Sequence, residues 1–485
     1  AGGDYFRRAL GSVLAQDYAN WELIIVDDGS EDDTEAVVGG FDDPRIRYLK
    51  GSGKGAADAR NIGMAAAGGS FFAYLDSDNQ WTPHYLTTMV AFVLRRDLDL
   101  AYSAMKLESE EGIRYRGRPF DYDDLVELNY VDLNAVVHRR ALTERHGGFD
   151  TSLRRMMDWD LVLRYAKGAR VDHAPFIGVL YDERKEGDRI TTRESSAWRY
   201  HLHNRYMIDW PALAAAAPAR DPDLVSIVIP IYGKYELTNG CLESLFRHAA
   251  GRPFEIVIVN NKSDRATFEN MALWAAARDG VELVASFTNL NFALSCNVGF
   301  ARTRGQVVVF LNNDTVVQPG WLDALLGTFD AFPDTGLAGA LLVYPDGRLQ
   351  EAGSLVYRDG SCWSIGRFES PLHPRYRFVR EVDYCSGAAL GLRTALFRQL
   401  PGFDTRFAPA YYEDTDLAVQ VRQTGLKVRV QPAAVVVHRE GGTCGVDALQ
   451  GPKAAQLANQ RTFQFKWRDA LEAGHASPGS DPIRA

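Results

Sequence analysis

The sequence contains one pattern of acidic and amide residues twice, with the two copies about 240 residues apart. In each copy two short apolar runs end in such residues, and a Gly-Phe-Asp tripeptide then precedes a pair of acids. A repeat of this length indicates two similar domains in tandem and not a solenoid of short units. The copies comprise 26–30, 75–78, 148–150 and 158–161 in the first half, and 259–263, 311–314, 402–404 and 413–417 in the second.

Apolar runs alternate with helical patterns in both halves, at 21–26 and 71–75 in the first and at 225–231, 255–259 and 307–311 in the second. This alternation predicts an α/β fold, with a doubly wound, Rossmann-like and mostly parallel sheet in each half. In such sheets ligands bind beyond the carboxyl ends of the strands. We therefore predict that both acidic clusters lie at ligand-binding strand ends.

Residues rich in proline and alanine predict a linker at 211–224, between a first domain at 1–210 and a second at 225–472. The segment 473–485 is rich in Gly, Ser and Pro, and we expect a flexible tail there. The first domain opens on a helical pattern without the apolar run that opens the second. We therefore expect it to lack the first strand of its sheet.

Composition limits the partners of this chain. The formal net charge of -9 argues against a nucleic-acid partner, for which a basic face is expected. The five cysteines form no CxxC pair, which indicates reduced thiols and a cytoplasmic location. No run of 18 apolar residues occurs, so we expect at most a peripheral association with a membrane, for which the inner face of the cytoplasmic membrane is one location.

Asp76 and Asp78 follow an apolar run with one residue between them, so their side chains leave the predicted strand on the same face. Two carboxylates there could hold a divalent cation through oxygen ligands. An acidic turn or a helix cap would use the same residues. The second copy favours the metal interpretation, although in 312–314 only Asp314 is a carboxylate.

Two acids also arrive together after each Gly-Phe-Asp tripeptide, at the start of an amphipathic helical pattern. They are Asp158 with Asp160, and Asp414 with Asp416. A carboxylate at a helix start suits the helix dipole, so helix capping is one interpretation. The other is that one acid is a general base facing an acceptor hydroxyl while its partner supports the helix.

Both halves resemble glycosyltransferase family 2, a family of inverting enzymes with the GT-A fold. The resemblance covers roughly residues 4–195 and 224–470. It is carried by 59–63 and 75–78 in the first half, and by 345–353, 382–388, 402–417 and 438–445 in the second. The second half is also similar to bacterial enzymes that build O-antigen, capsule or rhamnan-type surface polysaccharides.

The resemblance implies a role for each matching position. Asp158 and Asp414 would be the catalytic bases. The metal ligands would be Asp76, Asp78, Asp314 and His438, with Mn²⁺ or Mg²⁺ as the cofactor. Nucleotide-binding residues would be Asp27, Asp28, Arg60, Asp76, Pro230, Tyr232, Asn260 and Asn312, and acceptor-binding residues Asp160, Glu413 and Asp383. The donors would be UDP-, GDP- or dTDP-sugars and the acceptor a glycan or lipid-linked glycan.

The two copies depart from the family pattern in different ways. In the second half Asn260 stands where the family has an Asp that binds the nucleotide base, and Cys296 stands at the position of Arg60. The first half has residues 181–184 where His438 would be, and Met157 where the second half has Glu413. We expect a bifunctional transferase, with the alternative that one domain is a non-catalytic glycan- or nucleotide-binding module. A nucleotidyltransferase would need a basic or Gly-rich triphosphate loop, which the sequence does not show.

Overall fold

The computed structural model describes residues 3–183, 197–215, 221–248, 251–286, 288–400, 402–441 and 455–478. Contacts between residues divide the chain into two compact units, Ala1–Arg199 and Tyr200–Ala485. Each unit has its own mixed sheet with helices, so the predicted α/β class is confirmed. Among the described residues no helix has both the length and the apolar character needed to cross a bilayer.

The first unit contains a parallel pair of strands and a separate six-stranded sheet. Its strands are β1 (Leu23–Asp27), β2 (Ile46–Lys50), β3 (Phe71–Ala73), β4 (Gln80–Trp81), β5 (Leu100–Ser109), β6 (Gly112–Arg116), β7 (Val136–Arg139) and β8 (Val171–Asp182). β1 pairs with β2, and the other sheet has the order β3-β7-β5-β8-β4 with β6 on β5. Its helices are Asp4–Leu14, Thr34–Gly39, Ala56–Ala66, Tyr85–Arg95, Tyr122–Glu127, Arg140–His146 and Met157–Ala166, with a 3-10 turn at Leu133–Ala135.

The second unit is built on a ten-stranded sheet. Its strands are β9 (Asp221–Ile231), β10 (Phe254–Asn261), β11 (Val281–Ser286), β12 (Gly305–Leu311), β13 (Thr315–Val317), β14 (Thr335–Val343), β15 (Leu349–Glu351), β16 (Ser354–Val356), β17 (Cys362–Ser364), β18 (Arg380–Glu381), β19 (Ala389–Arg393) and β20 (Lys427–His438). The order is β11-β10-β9-β12-β19-β14-β20-β13, with β15 on β14 and β18 on β20, while β16 and β17 form a hairpin.

Helices cover both faces of this sheet. They are Trp198–Met207, which contains the division between the units, then Trp210–Ala215, Tyr235–His248, Arg265–Ala276, Asn291–Phe300, Trp321–Ala331, Thr394–Gln399, Glu413–Gln423, Gln456–Lys466 and Arg468–Gly474, with 3-10 turns at Pro374–Tyr376 and Thr405–Phe407. Along β9, Ile227 and Ile229 belong to one core cluster and Val228 to the other. A strand covered on both faces needs apolar residues at every position, because successive side chains point to opposite faces.

The segment predicted as a linker is partly built into the second unit. Its first residues belong to the helix Trp210–Ala215, which packs by stacking of Trp210 on Phe300, with ring centroids 6.0 Å apart. Arg398 Nη1 also donates to Leu213 O at 2.9 Å. Strand β9 then begins at Asp221, and 216–220 lie outside the described residues. Of the predicted tail, His475 is docked through a 2.8 Å contact of its Nδ1 with Val356 O, and 479–485 are outside the described residues.

The two sheets differ at one position. In the second unit β9 lies between β10 and β12 and runs parallel to both. The corresponding strands of the first unit are β1 and β3, and within 3–183 no strand lies between them. A cavity of about 1000 Å³ occupies this space, lined by side chains of β1, β3 and the helix Asp4–Leu14.

Candidate catalytic sites

Both pairs of acids lie in the first turn of a helix, Met157–Ala166 in the first unit and Glu413–Gln423 in the second. Each helix follows a residue in the left-handed conformation, Met156 with φ 62° and Tyr412 with φ 76°. Residues other than glycine rarely adopt this backbone conformation, because it is strained. The same strained entry in both units fixes the direction in which each helix starts.

The second acid of each pair anchors its helix. Asp160 and Asp416 have no exposed surface. Arg164 Nε donates to Asp160 Oδ2 at 2.8 Å, while Lys466 Nζ lies 2.7 Å from Asp416 Oδ1. Trp467 Nε1 donates to Asp416 Oδ1 at 2.7 Å. Asp160 was predicted to bind an acceptor. It lies on the buried face of its helix and not on a surface that an acceptor would reach.

The first acid of each pair, predicted as the general base, is only half-buried. Asp414 Oδ2 accepts from Gly387 N at 2.9 Å, and Oδ1 accepts from Thr415 N at 2.7 Å. Burial raises the pKa of Asp414, although these hydrogen bonds act in the opposite direction. Burial also raises the pKa of Asp158, against the opposing charge of Arg60. Each carboxylate thus holds a proton more tightly than a free Asp, as a general base requires.

In the second unit a carboxylate and an imidazole come together at the ends of two strands. β13 pairs with β20 so that Thr315 is opposite His438, and His438 Nε2 lies 3.3 Å from Asp314 Oδ1. That oxygen is buried and has no hydrogen-bond partner. His438 Nδ1 is in turn 3.1 Å from Gln350 Oε1.

The donor set of Asp314 and His438 fits a divalent cation, since Mn²⁺ and Mg²⁺ favour carboxylate oxygen and Mn²⁺ also accepts imidazole. Such an ion would bind Asp314 Oδ1, which has no hydrogen-bond partner, together with His438 Nε2 beside it. Within the described residues no group of three or more His, Cys, Asp or Glu side chains is arranged for a metal. The remaining ligands would therefore have to come from a bound substrate or from water.

In the first unit the predicted metal ligand Asp76 is engaged by the protein. Arg60 Nη2 lies 2.6 Å from Asp76 Oδ1, and Asn134 Nδ2 donates to Asp76 Oδ2 at 3.1 Å. Burial raises the pKa of Asp76, but the Arg60 guanidinium outweighs it, so that the pKa is lowered. Asp78 lies two residues later, in the turn before β4. The second unit has no equivalent of this ion pair, because Asn312 and Cys296 stand at the positions of Asp76 and Arg60.

Strand pairing also shows what replaces His438 in the first unit. In the antiparallel pair of β4 and β8, Gln80 is opposite Leu180 and Trp81 opposite Val179. Continued by one residue, this register places Tyr181 opposite Asn79. Asn79 directly follows Asp78 as Thr315 follows Asp314, so Tyr181 holds the position of His438.

Asp27 and Asp28 organise the loops at the end of β1. Asp27 Oδ1 accepts from Ser30 N at 2.8 Å. Asp28 reaches the loop after β2, where its carboxylate accepts from Gly53 N at 2.8 Å and from Gly55 N at 2.6 Å. Both acids therefore shape the strand end at which the sequence predicts a nucleotide.

The nucleotide-binding residues predicted for the second unit meet at one edge of its sheet. Asn260 is the last residue but one of β10 and its buried Oδ1 has no hydrogen-bond partner, and Asn312 directly follows β12. Pro230 lies at the end of β9, and Tyr232 follows it with 48% of its surface exposed. Because β9, β10 and β12 are parallel, these four residues lie at the carboxyl ends of adjacent strands, where α/β sheets bind ligands.

Two further acids were predicted to bind an acceptor. Glu413 is buried, and burial raises its pKa well above the usual value. Asp383 accepts from Arg422 Nη1 at 2.6 Å through Oδ1 and from Val356 N at 2.9 Å through Oδ2. The carboxylate of Asp383 is thus already used within the fold, and both acceptor roles stay predictions.

Sequence reasoning missed a pair of asparagines that orient the Gly-Phe-Asp turns. Asn61 Nδ2 donates to Phe149 O at 2.9 Å, and Phe149 N donates back to Asn61 Oδ1 at 2.7 Å. Asn297 makes the same two bonds with Phe403, each at 2.9 Å. The signal was present in the sequence, because both helices contain Asn-x-Gly and both turns contain Gly-Phe-Asp.

Glycine is required next to these asparagines. A Cβ on Gly148 would lie 2.2 Å from Asn61 Oδ1, and a Cβ on Gly402 would lie 2.5 Å from Asn297 Oδ1. Gly402 also has φ 79°, a conformation that other residues rarely adopt. Because glycine lets the backbone approach so closely, each asparagine amide can form hydrogen bonds with both the N–H and the C=O of the Phe in the turn. We call this pair of hydrogen bonds the bracket.

Replacing Asn297 with Ala is expected to lower the free energy of unfolding of the second unit by about 1–3 kcal/mol, because two buried backbone groups of Phe403 lose their partners. Urea unfolding of the whole chain measures this. Asn270→Ala, at an exposed helix position, is the control and should change stability by less than about 0.5 kcal/mol. Equal effects of the two substitutions would contradict the bracket.

Comparison with known proteins places this chain among sugar-transferring enzymes. The family model described as Glycosyl transferase family 2 matches residues 2–156 and 226–398. An O-antigen biosynthesis protein of Myxococcus xanthus is 29% identical over 485 residues, covering 92% of this chain and 37% of that protein. The UDP-Glc:alpha-D-GlcNAc-diphosphoundecaprenol beta-1,3-glucosyltransferase of Escherichia coli is 39% identical over 106 residues, which are 22% of this chain and 42% of that enzyme.

This chain spans less than two thirds of the length of either relative. Among solved structures, S. aureus TarS in complex with UDP-GlcNAc matches with a TM-score of 0.37 and 19% identity, covering 41% of this chain and 61% of that chain.

Proposed function

Since the chain belongs to glycosyl transferase family 2, we propose that each unit transfers a sugar from a nucleoside diphosphate donor to an acceptor hydroxyl, with inversion at the anomeric carbon. The observation that carries this proposal is the equivalent placement of Asp158 and Asp414. Each is a half-buried carboxylate of raised pKa at the second position of a helix with a strained entry. Two independent units that build the same base support two catalytic centres.

In the second unit Asp414 takes the proton from the acceptor hydroxyl. The amides of Gly387 and Thr415 fix the orientation of its carboxylate, so that the free lone pairs face one direction. The strand-end residues around Asn260 and Asn312 bind the nucleotide. Asp314 and His438 would hold Mn²⁺ or Mg²⁺, which when bound neutralises charge on the diphosphate leaving group.

In the first unit Asp158 is the base, and Asp27, Asp28 and Arg60 bind the nucleotide. Asp76 and Asp78 would supply the metal ligands. Burial raises the pKa of Asp158, which makes it a stronger base than a free Asp carboxylate.

Two observations favour a second candidate function for the first unit. The ion pair of Arg60 with Asp76 occupies a predicted metal ligand, and Tyr181 stands in the position of His438. A unit that binds a nucleotide sugar or glycan without turning it over would tolerate both features. In that case the first unit would hold the glycan while the second unit catalyses transfer.

A donor screen tests both candidates. Release of nucleoside diphosphate from UDP-, GDP- and dTDP-sugars is measured with MnCl₂ for the whole chain, for Asp158→Asn and for Asp414→Asn. Two active units predict that each variant loses turnover of a different donor. A binding-only first unit predicts that Asp158→Asn changes nothing, and no turnover of any donor by the unaltered chain would reject the transferase proposal.

The relatives suggest where this activity belongs. One is named as an O-antigen biosynthesis protein and another acts on a sugar linked to diphosphoundecaprenol. We therefore propose a growing bacterial surface polysaccharide, free or lipid-linked, as the acceptor. A cytoplasmic location with peripheral association at the inner membrane face fits this acceptor.

Gln350, the hydrogen-bond partner of the predicted metal ligand His438, provides a test of the proposed metal site in the second unit. Replacing Gln350 with Ala removes the contact that orients His438 through Nδ1. Because such outer partners tune metal binding, the Mn²⁺ concentration for half-maximal turnover should rise about 10- to 100-fold. Titration of MnCl₂ in the Asp158→Asn chain measures this, with Gln318→Ala as the control for loss of an amide on a nearby strand end. An unchanged requirement for Mn²⁺ would contradict the assignment of His438.

A further inference from the structure

A second buried carboxylate lies beside the proposed base of the second unit. Glu351 ends β15 and is 5% exposed. Its Oε1 accepts from Ser386 N at 2.9 Å. The next amide along the chain, Gly387 N, donates to Asp414 Oδ2 at 2.9 Å. Two successive amides of one turn are therefore each held by a different carboxylate.

The residue before Glu351 reaches the other side of the site. Gln350 contacts His438 Nδ1 at 3.1 Å, while Glu351 reaches Asp414 through the turn at 386–387. One dipeptide at the edge of the sheet therefore contacts the supports of both the predicted metal ligand and the predicted base. An acid with a packing role alone would not need the hydrogen bond that Glu351 makes to this turn.

The groups that face Glu351 come from four elements. Asp414 lies on the helix Glu413–Gln423 and His438 on β20, while Tyr384 and Cys385 precede β19 and Ser354 begins β16. Burial is the main cause that raises the pKa of Glu351, to about 7, and the charge of Asp414 adds to it. The Ser386 amide, the Ser354 hydroxyl and the charge of His438 act in the opposite direction.

We propose that Glu351 is a positioning residue for the base, fixing the turn at Ser386 and Gly387 so that the Gly387 amide points at Asp414 Oδ2. The proposal rests on the proposed function of Asp414. Glu351 itself does not touch the substrate in this arrangement. Its effect reaches the reaction through the direction and the basicity of the Asp414 carboxylate.

Two substitutions separate this role from simple packing. Both are made in the Asp158→Asn chain, and release of nucleoside diphosphate is measured with MnCl₂ and the nucleotide sugar that the second unit turns over fastest. Glu351→Ala should lower kcat about 10- to 100-fold, because small displacements of a catalytic group are costly. The KM for the donor should change less than twofold. Glu351→Gln keeps an oxygen that accepts from Ser386 N, and kcat should recover to within about threefold of the parent.

The pH profile provides an independent readout. As the pH rises through about 7, Glu351 ionises beside Asp414 and makes Asp414 a stronger base. The parent should therefore show an inflection in kcat near pH 7 that is absent from Glu351→Gln. This readout remains available even if the Ala variant does not fold, which thermal melting reports.

Glu255 provides the matched control. It is also 5% exposed, and it is bonded to Ser226 and Arg304 at the far end of β10 from the site, so Glu255→Gln should leave kcat unchanged. Full kcat in Glu351→Ala, or the same pH inflection in Glu351→Gln, overturns the proposal for Glu351. Asp414→Asn in the same background distinguishes failure of the proposal for Glu351 from failure of the proposed function. Retained turnover in that variant would reject the proposed function itself.

Discussion

Replacing Asp414 with Asn is expected to lower sugar transfer by the second unit about 10²–10⁴-fold, because the amide cannot accept a proton from the acceptor hydroxyl. The amide oxygen still accepts from Gly387 N and Thr415 N, so the helix start should keep its geometry. The measurement is the rate of nucleoside diphosphate release from the donor that the second unit uses. Donor KM should stay within a small factor of the unaltered value, because the residues proposed to bind the nucleotide lie at the strand ends and do not include Asp414.

The reciprocal variant is the control for this expectation. Asp158→Asn should lower transfer by the first unit and leave the second unit's donor untouched. The double variant should be inactive with every donor. If both single variants retained full activity on their own linkages, neither Asp158 nor Asp414 would be the base.

Replacing Lys466 with Met is expected to destabilise the second unit by about 3–5 kcal/mol, because a buried carboxylate loses its cation. Lys466 Nζ lies 2.7 Å from Asp416 Oδ1 and 2.7 Å from Asp404 Oδ2. Asp416 has no exposed surface and keeps only neutral donors without Lys466. Met retains most of the aliphatic stem, so the loss reports the charge. Urea unfolding at pH 7 measures it.

The same variant has a predictable pH dependence. Burial raises the pKa of Asp416 even with Lys466 present, and removing Lys466 raises it further. Asp416 in the variant therefore takes up a proton sooner as the pH falls, and the deficit in stability should shrink toward pH 4. Lys427→Ala, in an exposed ion pair with Glu381, is the control and should cost less than about 1 kcal/mol. A deficit that does not depend on pH would contradict the role of the charge.

The features that depend on local pattern were accessible from the sequence. Apolar runs that end in polar residues predicted the parallel strands β9, β10 and β12 of the second unit, because a strand buried on both faces has to be apolar throughout. The pair of acids after each Gly-Phe-Asp tripeptide was correctly expected at a helix start. The predicted fold class, two α/β units of the GT-A type in tandem, is confirmed by the structure and the family match.

Features that depend on contacts between distant segments were not accessible. Nothing local distinguishes Asp383, whose carboxylate is bonded by Arg422, from an acid that faces a ligand. Glu351 lies 63 residues before Asp414 in the chain, and only the turn at 386–387 connects them. Residues 211–215 were predicted as linker because their alanines carry no periodic pattern. In the structure they continue a short helix that starts at Trp210, whose ring stacks on Phe300.

The side-chain amides of Asn61 and Asn297 hold the two Gly-Phe-Asp turns by backbone atoms of the turns, not by their side chains. A frame held in this way does not depend on which side chains stand at the neighbouring strand ends. The two halves illustrate this, since one carries acids and Arg60 there and the other carries Asn260, Asn312 and Cys296. An engineer could therefore exchange strand-end side chains between the halves to redirect donor choice, while leaving the scaffold that delivers each base unaltered.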